Sequence, residues 1–250
     1  MRADIIQHVW GEGCPPPVTG ASLVFADPPY NFGIRYADDP SKDQLTDYYG
    51  WARRTIGELT ACLAPGGTLW WLTPECHGDT IGLLLTSIVG RRIHRVIFEE
   101  AFSQYQQTSL TLDYRMLFCH QKPGGDLTFN PDAIREESER QRLGDKRADP
   151  RGRVPGQVWK MRRLQGTALE RVSWHPTQLP PELLRRVTRG WTSSGDLVVD
   201  AFAGSANLGV ICQEQHRQFV GCDRSPTYCE LMRERLKWTE MRNVGSHPVA

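Results

Sequence analysis

The sequence predicts an α/β chain with a twisted, mostly parallel sheet and helices on both faces. Two observations carry that expectation. Apolar runs of strand length alternate with stretches of helical spacing along most of the 250 residues, a density of alternation that places crossover helices over both faces of a parallel sheet. Two of those runs also end in unusual motifs, and ligands of such sheets sit beyond the carboxyl ends of strands. The length suits one domain, or one domain with an insertion.

Taken in order, the first strand is expected at 23–26 ("LVFA"). Residues 43–63 place Leu45, Tyr48, Tyr49, Ile56 and Leu59 at helical spacing before Pro65-Gly66-Gly67 stops the helix. "TLWWLT" reads as the next strand, 78–89 as an apolar helix, 92–99 as an alternating strand, and 114–120 as a strand ended by "QKPGG", expected to run antiparallel. From 126 to about 156 polarity is high and periodicity weak, so an irregular insertion is expected at about 123–158. Regular structure resumes with a helix at 181–189, a strand at 196–200, a helix from Asn207, a strand at 218–223 and a final helix from Pro226. The whole of 1–250 is read as a single domain carrying that insertion.

The net charge of +1 hides an asymmetry. From Arg135 to Arg163 there are ten Lys and Arg against five Asp and Glu, so the rest of the chain is acidic on balance. Such a segment is either a solvated loop or a surface that neutralises phosphates and releases counterions. Seven cysteines without a Cys-x-x-Cys pair predict reduced, mostly buried thiols, and Cys76-His77 has no partner pair at ligand spacing, so no metal site is expected. No apolar run is long enough to span a bilayer, and "MRADIIQHVW" lacks the apolar core of a signal peptide, so a soluble, cytoplasmic protein without a membrane partner is expected.

The stretch "SLVFADPPYNFG" ends a buried strand in Asp27-Pro28-Pro29-Tyr30-Asn31. Local punctuation is one reading, because prolines cannot continue a ladder. The neighbours suggest another. Asp27 offers acceptors only, Tyr30 a flat ring, and the two prolines freeze the backbone between them, with a donor-free carbonyl as a second acceptor. A rigid pair of acceptors beside a ring suits a planar amine, such as the exocyclic amino group of a base.

The second motif spans 200–209, "DAFAGSANLG", where a strand feeds a Gly-rich turn and then a helix. Backbone donors at such a helix start hold an anion, and Gly204 allows close approach. Asp223 ends the next strand, about 20 residues on, where an acid typically binds ribose hydroxyls. Ala206 occupies the second glycine position of a dinucleotide fingerprint, so a carboxylate-bearing adenosine cofactor fits better than a dinucleotide. S-adenosylmethionine joins a carboxylate, an ammonium and a ribose to a reactive methyl, and a reactive methyl beside a bound amine means methyl transfer.

"ADPPYN", "HPTQLPPELLRRV", "GDLVVDAFAGSANLG" and "RQFVGCDRSPTYCELMRERL" together resemble the site-specific DNA amino-methyltransferases of beta-class order, in which the catalytic motif precedes the cofactor motif. The resemblance covers 21–72 and 158–236. It implies a Rossmann-like, S-adenosylmethionine-dependent methyltransferase fold in a bacterial or phage type of protein that acts on duplex DNA in the nucleoid, in some cases beside a restriction enzyme. By this resemblance Asp27 and the Pro28 carbonyl accept the amino protons of a flipped base, Pro29 completes the rigid motif, and Tyr30 stacks on the base. Asp200, Phe202, Gly204, Ser205 and Asn207 correspond to the cofactor loop, and Asp223 to the ribose ligand. His175, Thr177 and Gln178 match the segment over the methionine end of the cofactor. Asn31, Arg162, Arg163 and Arg171 are the candidate nucleic-acid contacts. The family commonly has Asp-Pro-Phe, a second loop glycine, a lysine after His-Pro-Thr-Gln, and Gly-Asp near the N-terminus; this chain has Ala201, Ala206, Leu179 and Gly11-Glu12-Gly13 instead.

Related enzymes are often dimers, so a homodimer is among the expectations. In the family that the chain resembles, Asp at the first motif position usually goes with adenine N6 and Ser with cytosine N4, so the resemblance implies adenine N6. Cytosine N4, RNA adenine, and a silent DNA-binding subunit remain the alternatives.

Overall fold

The computed structural model describes residues 2–13, 17–37, 43–101, 107–108, 110–162, 164 and 171–245. Its strands are β1 (Ala3–Gln7), β2 (Ala21–Ala26), β3 (Leu63–Pro74), β4 (Arg91–Ala101), β5 (Tyr114–Gln121), β6 (Val158–Arg162), β7 (Leu197–Asp200) and β8 (Gln218–Asp223). Its helices are α1 (Tyr48–Cys62), α2 (Glu75–Ile88), the single turn α3 (Glu139–Arg142), α4 (Pro181–Trp191), α5 (Asn207–Glu214) and α6 (Pro226–Gly245). All the strands join one sheet in the order β1-β8-β7-β2-β3-β5-β4-β6. Every pairing is parallel except those of β5, which runs antiparallel to β3 and β4. The expected α/β class and the expected antiparallel strand are both present.

The central strands are buried on both faces because their consecutive residues are apolar. Trp70 and Trp71 of β3 are both fully buried. Trp70 packs with Leu23 and Phe25 on one face, and Trp71 with Val24 and Ala26 on the other. Trp70 also meets Trp191 of α4 edge-on at 4.6 Å and lies 6.2 Å from Trp159 of β6. Removing such a ring from a core costs about 3–5 kcal/mol. Trp159 and Trp191 are therefore packing residues.

Several boundaries differ from expectation. α1 begins at Tyr48 because the Asp47 carboxylate caps it, accepting from Gly50 N at 2.9 Å. β3 starts at Leu63, directly after that helix. Two strands, β1 and β6, were not expected. Both are short sheet edges, and β6 ("VWKMR") buries only Trp159 and Met161 while its alternate residues face solvent, too brief a pattern to stand out beside a polar segment.

The insertion expected at 123–158 contains a 3₁₀ turn at Pro131–Ile134 and the turn α3, closed by a bridge between Glu136 and Arg153. It leaves β5 at Gln121, which pairs with Thr68 in the middle of β3 and with Arg91 at the start of β4. It then packs on the second half of α4: Asn130 N donates to the Gly190 carbonyl at 2.8 Å, and Ile134 is buried against Gly190. The segment is anchored away from the carboxyl ends of the parallel strands, and its arginines pair with acids of the same segment, Arg135 with Asp132, Arg147 with Asp145, Arg151 with Asp149 and Arg153 with Glu136.

Ala206 precedes α5 at its N-cap position, and its φ of 60° and ψ of 25° are left-handed. An L-residue pays about 1–2 kcal/mol for that conformation, while glycine would lose about 0.5–1 kcal/mol more unfolded-state entropy than alanine. The first effect is the larger. Ala206→Gly is therefore expected to raise stability by about 0.5–1 kcal/mol, read as a higher urea midpoint at unchanged slope. An equal or lower midpoint would refute the strain.

Candidate active site

β2, β7 and β8 are parallel, and Phe25 pairs with Asp200 while Asp200 pairs with Gly221. The ladder therefore delivers Asp27, Asp200 and Asp223 to the same end of the sheet. They line one crevice of ≈ 310 Å³, walled also by the chain after β1, by α1 and by the segment around His175. The two motifs singled out in the sequence open into this one space.

At its catalytic end, the Tyr30 hydroxyl donates to Asp27 Oδ1. The same hydroxyl accepts from Arg115 Nη1 at 3.0 Å, and Arg115 lies 3.9 Å from Asp27. Burial, and then the negative charge of Asp27, raise the Tyr30 phenol well above its ordinary value, so it stays protonated and donates. Arg115 was missed by the sequence reading. It stands on β5, 85 residues from Tyr30, and nothing local marks it.

Asn31 adopts a left-handed φ of 64°. Its side-chain oxygen accepts from Leu45 N at 2.5 Å and its amide donates to the Leu45 carbonyl at 3.3 Å. Its polar groups thus serve the local turn. Next to it, Phe32 is 56% exposed, lies edge-on to Tyr30 and stacks on His77. His77 Nε2 donates to the Tyr30 carbonyl at 3.0 Å, which leaves Nδ1 to accept from the Tyr49 hydroxyl at 3.0 Å.

At the other end, Asp223 Oδ2 accepts from Gly204 N at 3.1 Å and Oδ1 from Ser225 N at 2.9 Å. Burial raises its carboxyl above the usual range. Gly204 has a φ of 45°, and a Cβ there would come within 2.6 Å of His175 Nε2, so only glycine lets the loop and the His175 segment pack. Burial lowers His175 to about 4, which keeps its imidazole neutral. Gln178 and Asn207 pin this segment to α5: Gln178 Nε2 donates to Asn207 Oδ1 at 3.2 Å, and Asn207 Nδ2 to the Leu179 carbonyl at 3.1 Å. Thr177 hydrogen-bonds Tyr36, Phe202 packs at 6.1 Å from Trp51, and Ser205 accepts at its carbonyl from Arg235. Ala201, where the family pattern has proline, donates its N–H to the Phe25 carbonyl at 2.9 Å, a bond that proline cannot make.

Asp200 is 6% exposed and accepts from Phe202 N at 3.3 Å. Burial, with the charges of Asp27 and Asp223, pushes its carboxyl up to about 8. A buried carboxylate in an acidic crevice favours a cationic ligand. The lining fits S-adenosylmethionine on that ground, with Asp200 suited to its positive groups, Asp223 to the ribose, and the Gly204 turn to close backbone approach.

The nucleic-acid candidates are less tightly grouped. Arg162 ends β6, four strands from β2 and so about 19 Å across the sheet. Arg171 is exposed, four residues ahead of His175. Arg163 lies outside the described residues. Among the described residues no cluster of metal-ligating side chains occurs, and no helix is long and apolar enough to cross a membrane.

The raised Asp200 value fixes the sign of a pH effect. Between about pH 4 and pH 8 the ligand-free folded chain holds a proton that the unfolded chain has released, so this residue's contribution to stability falls as pH rises through that window. Asp200→Asn is expected to be more stable than the wild type at pH 8, by a margin that shrinks toward pH 5, as read from urea midpoints. A margin independent of pH would refute the burial argument.

The family pattern described as DNA methylase matches residues 21–234. The chain is 27% identical over 241 residues to the DNA adenine methyltransferase YhdJ of Escherichia coli, covering 92% of this chain and 79% of that one. The solved M1.HpyAVI–SAM complex superposes with a TM-score of 0.58 at 17% identity, over 87% of this chain and 89% of that one. The cytosine-N4-specific PvuII DNA methyltransferase superposes with a TM-score of 0.62 at 12% identity, over 99% and 95%. With the two motifs meeting in one crevice and the match spanning nearly the whole sheet, the chain belongs to the N6/N4 DNA methylase family, the S-adenosylmethionine-dependent amino-methyltransferases of DNA.

Proposed function

We propose that the protein methylates adenine N6 in duplex DNA, acting on a target base swung out of the helix. The observation that carries this reading is the Asp27 carboxylate at the mouth of the crevice, held by Tyr30 and Arg115, where a cytosine-N4 enzyme of the family has serine. A carboxylate is the stronger acceptor for a purine amine. YhdJ, the relative named as an adenine methyltransferase, supports the same choice.

Adenine N6 is a poor nucleophile because its lone pair is delocalised into the ring. Asp27 and the Pro28 carbonyl accept its two protons, which favours a tetrahedral nitrogen whose lone pair is directed at an electrophile. The cofactor supplies, when bound, an electrophilic methyl group on a sulfonium. Asp27 takes the proton that the amine loses as it gains that methyl. Extrusion of the base costs a few kcal/mol, which stacking on the Tyr30 ring offsets by about 1–3 kcal/mol. His175, Thr177 and Gln178 cover the methionine end of the cofactor, and Phe202, Ser205 and Asn207 shape the loop beneath it. Arg162 and Arg171 contact phosphates, with Arg163 next to Arg162 in sequence.

Transfer of labelled methyl from S-adenosylmethionine to unmodified duplex DNA and to RNA, followed by nucleoside mass spectrometry, tests the reading. N6-methyladenine in DNA is the expected product. N4-methylcytosine as the main product, label on RNA alone, or no label at all would overturn it. Asp27→Ala is expected to slow transfer by about 10²–10³-fold while leaving cofactor affinity by calorimetry largely intact. Arg162→Ala and Arg171→Ala should each weaken DNA binding evenly across sequences and lower the salt slope by about 1; an unchanged slope would remove that residue from the interface.

A further inference from the structure

We propose that Arg115 is a positioning residue for the transfer step, acting through the Tyr30 hydroxyl to hold the ring and the Asp27 carboxylate in their working geometry. The inference rests on the proposed roles of Asp27 and Tyr30 and goes beyond them, because Arg115 belongs to no recognised motif of the chain.

Three observations carry it. First, Arg115 is fixed from behind. It sits near the start of β5, in register with Pro74 on one side and Phe98 on the other, and its guanidinium lies over the Phe98 ring at 5.3 Å. Only 17% of the side chain is exposed. Second, it reaches the one atom that links the catalytic pair. Arg115 Nη1 donates to the Tyr30 hydroxyl at 3.0 Å, and that hydroxyl donates to Asp27 Oδ1. The prolines at 28 and 29 restrict the backbone leading to Tyr30, which leaves the ring torsions as its main freedom. A hydroxyl held by a donor on one side and an acceptor on the other removes that freedom. Third, the charge is placed where it is needed. Asp27, Asp200 and Asp223 share the crevice, and Arg115 and Arg224 are the Lys or Arg residues among its described lining. Arg115 stands 3.9 Å from Asp27 and so offsets the carboxylate that receives the target amine, while Asp200 and Asp223 stay available to the cofactor.

A plain structural role predicts lost stability, and a phosphate contact predicts a raised KM for DNA. Positioning through Tyr30 predicts neither. A misplacement of about 1 Å in a reacting group can cost about 10²-fold in rate, and that loss should fall on kcat.

The test uses the full chain, S-adenosylmethionine and unmodified duplex DNA, with Arg115→Met, Arg115→Lys, Tyr30→Phe and the double variant Tyr30→Phe/Arg115→Met. Arg115→Met is expected to lower kcat by about 10²-fold, with KM for DNA, cofactor affinity and urea midpoint near the wild-type values. In the Tyr30→Phe background the same change should cost clearly less than it does alone, because the oxygen through which Arg115 holds the ring is gone while its charge beside Asp27 remains. Arg115→Lys keeps a charge without the planar fork and should recover only part of the rate. A further variant, Arg115→Ala, should regain part of its activity when guanidinium ion is added. Full additivity in the double variant, a loss confined to KM, a wild-type kcat in Arg115→Met, or a midpoint that falls equally in the Met and Lys variants would each overturn the inference. Wild-type enzyme that transfers no methyl would remove the proposed reaction, and this inference with it, whereas active wild type beside an equally active Arg115→Met removes the inference alone.

Discussion

The crevice depends on bringing carboxylates together at the ends of neighbouring parallel strands. A parallel ladder forces β2, β7 and β8 to finish on one edge of the sheet, and Asp27, Asp200 and Asp223 close them. Negative charges gathered in a partly dry space repel one another and lose hydration, and the chain answers differently at each position. Asp27 has the Tyr30 hydroxyl and the Arg115 guanidinium. Asp223 has the backbone donors of Gly204 and Ser225. Asp200 has one longer backbone donor, and burial pushes its carboxyl up to about 8, so a positive partner beside it would favour its ionised form. A cofactor with a sulfonium and an ammonium offers such a partner, and the proposed division of labour among the three acids follows from it.

Several departures from the family pattern are absorbed by contacts from elsewhere in the fold. Ala201 replaces a proline and uses its restored N–H to reach the Phe25 carbonyl, which stitches the start of the loop to β2. Ala206 replaces a glycine yet keeps the left-handed backbone that the turn requires, so the loop geometry survives at a cost in strain. Gly204 stays glycine because the His175 ring occupies the space where a side chain would go. Gly11-Glu12-Gly13, which stands where the family has Gly-Asp, is held by α1: Glu58 accepts from both glycine N–H groups at 2.7 and 2.8 Å, and Trp10 Nε1 donates to the Ala201 carbonyl at 2.7 Å. Interactions from distant parts of the chain thus fix the backbone around the cofactor loop where the local pattern is weakest.

Much of this molecule was legible in the amino-acid order because its signals are local. The central strands are apolar on both faces, Gly204 and Asp223 stand at the spacing that adjacent β–loop–α–β units impose, and the two prolines with their flanking Asp27 and Tyr30 form one rigid unit. Those features determined the fold class, the cofactor and the kind of chemistry. Other features exist only once the sheet is assembled. β1 and β6 are edge strands whose short patterns gain meaning from the partners they add to. The segment after β5 is basic by count, yet several of its arginines pair with acids of the same segment and it docks on α4, contacts that its local pattern does not announce. Arg115 reaches Tyr30 because an antiparallel strand enters an otherwise parallel sheet beside β3 and carries the guanidinium to the crevice. Motifs persist in a sequence when a few neighbouring residues must share one geometry. Contacts made across the sheet by residues far apart in the chain leave no such trace, so the tertiary structure alone decided them.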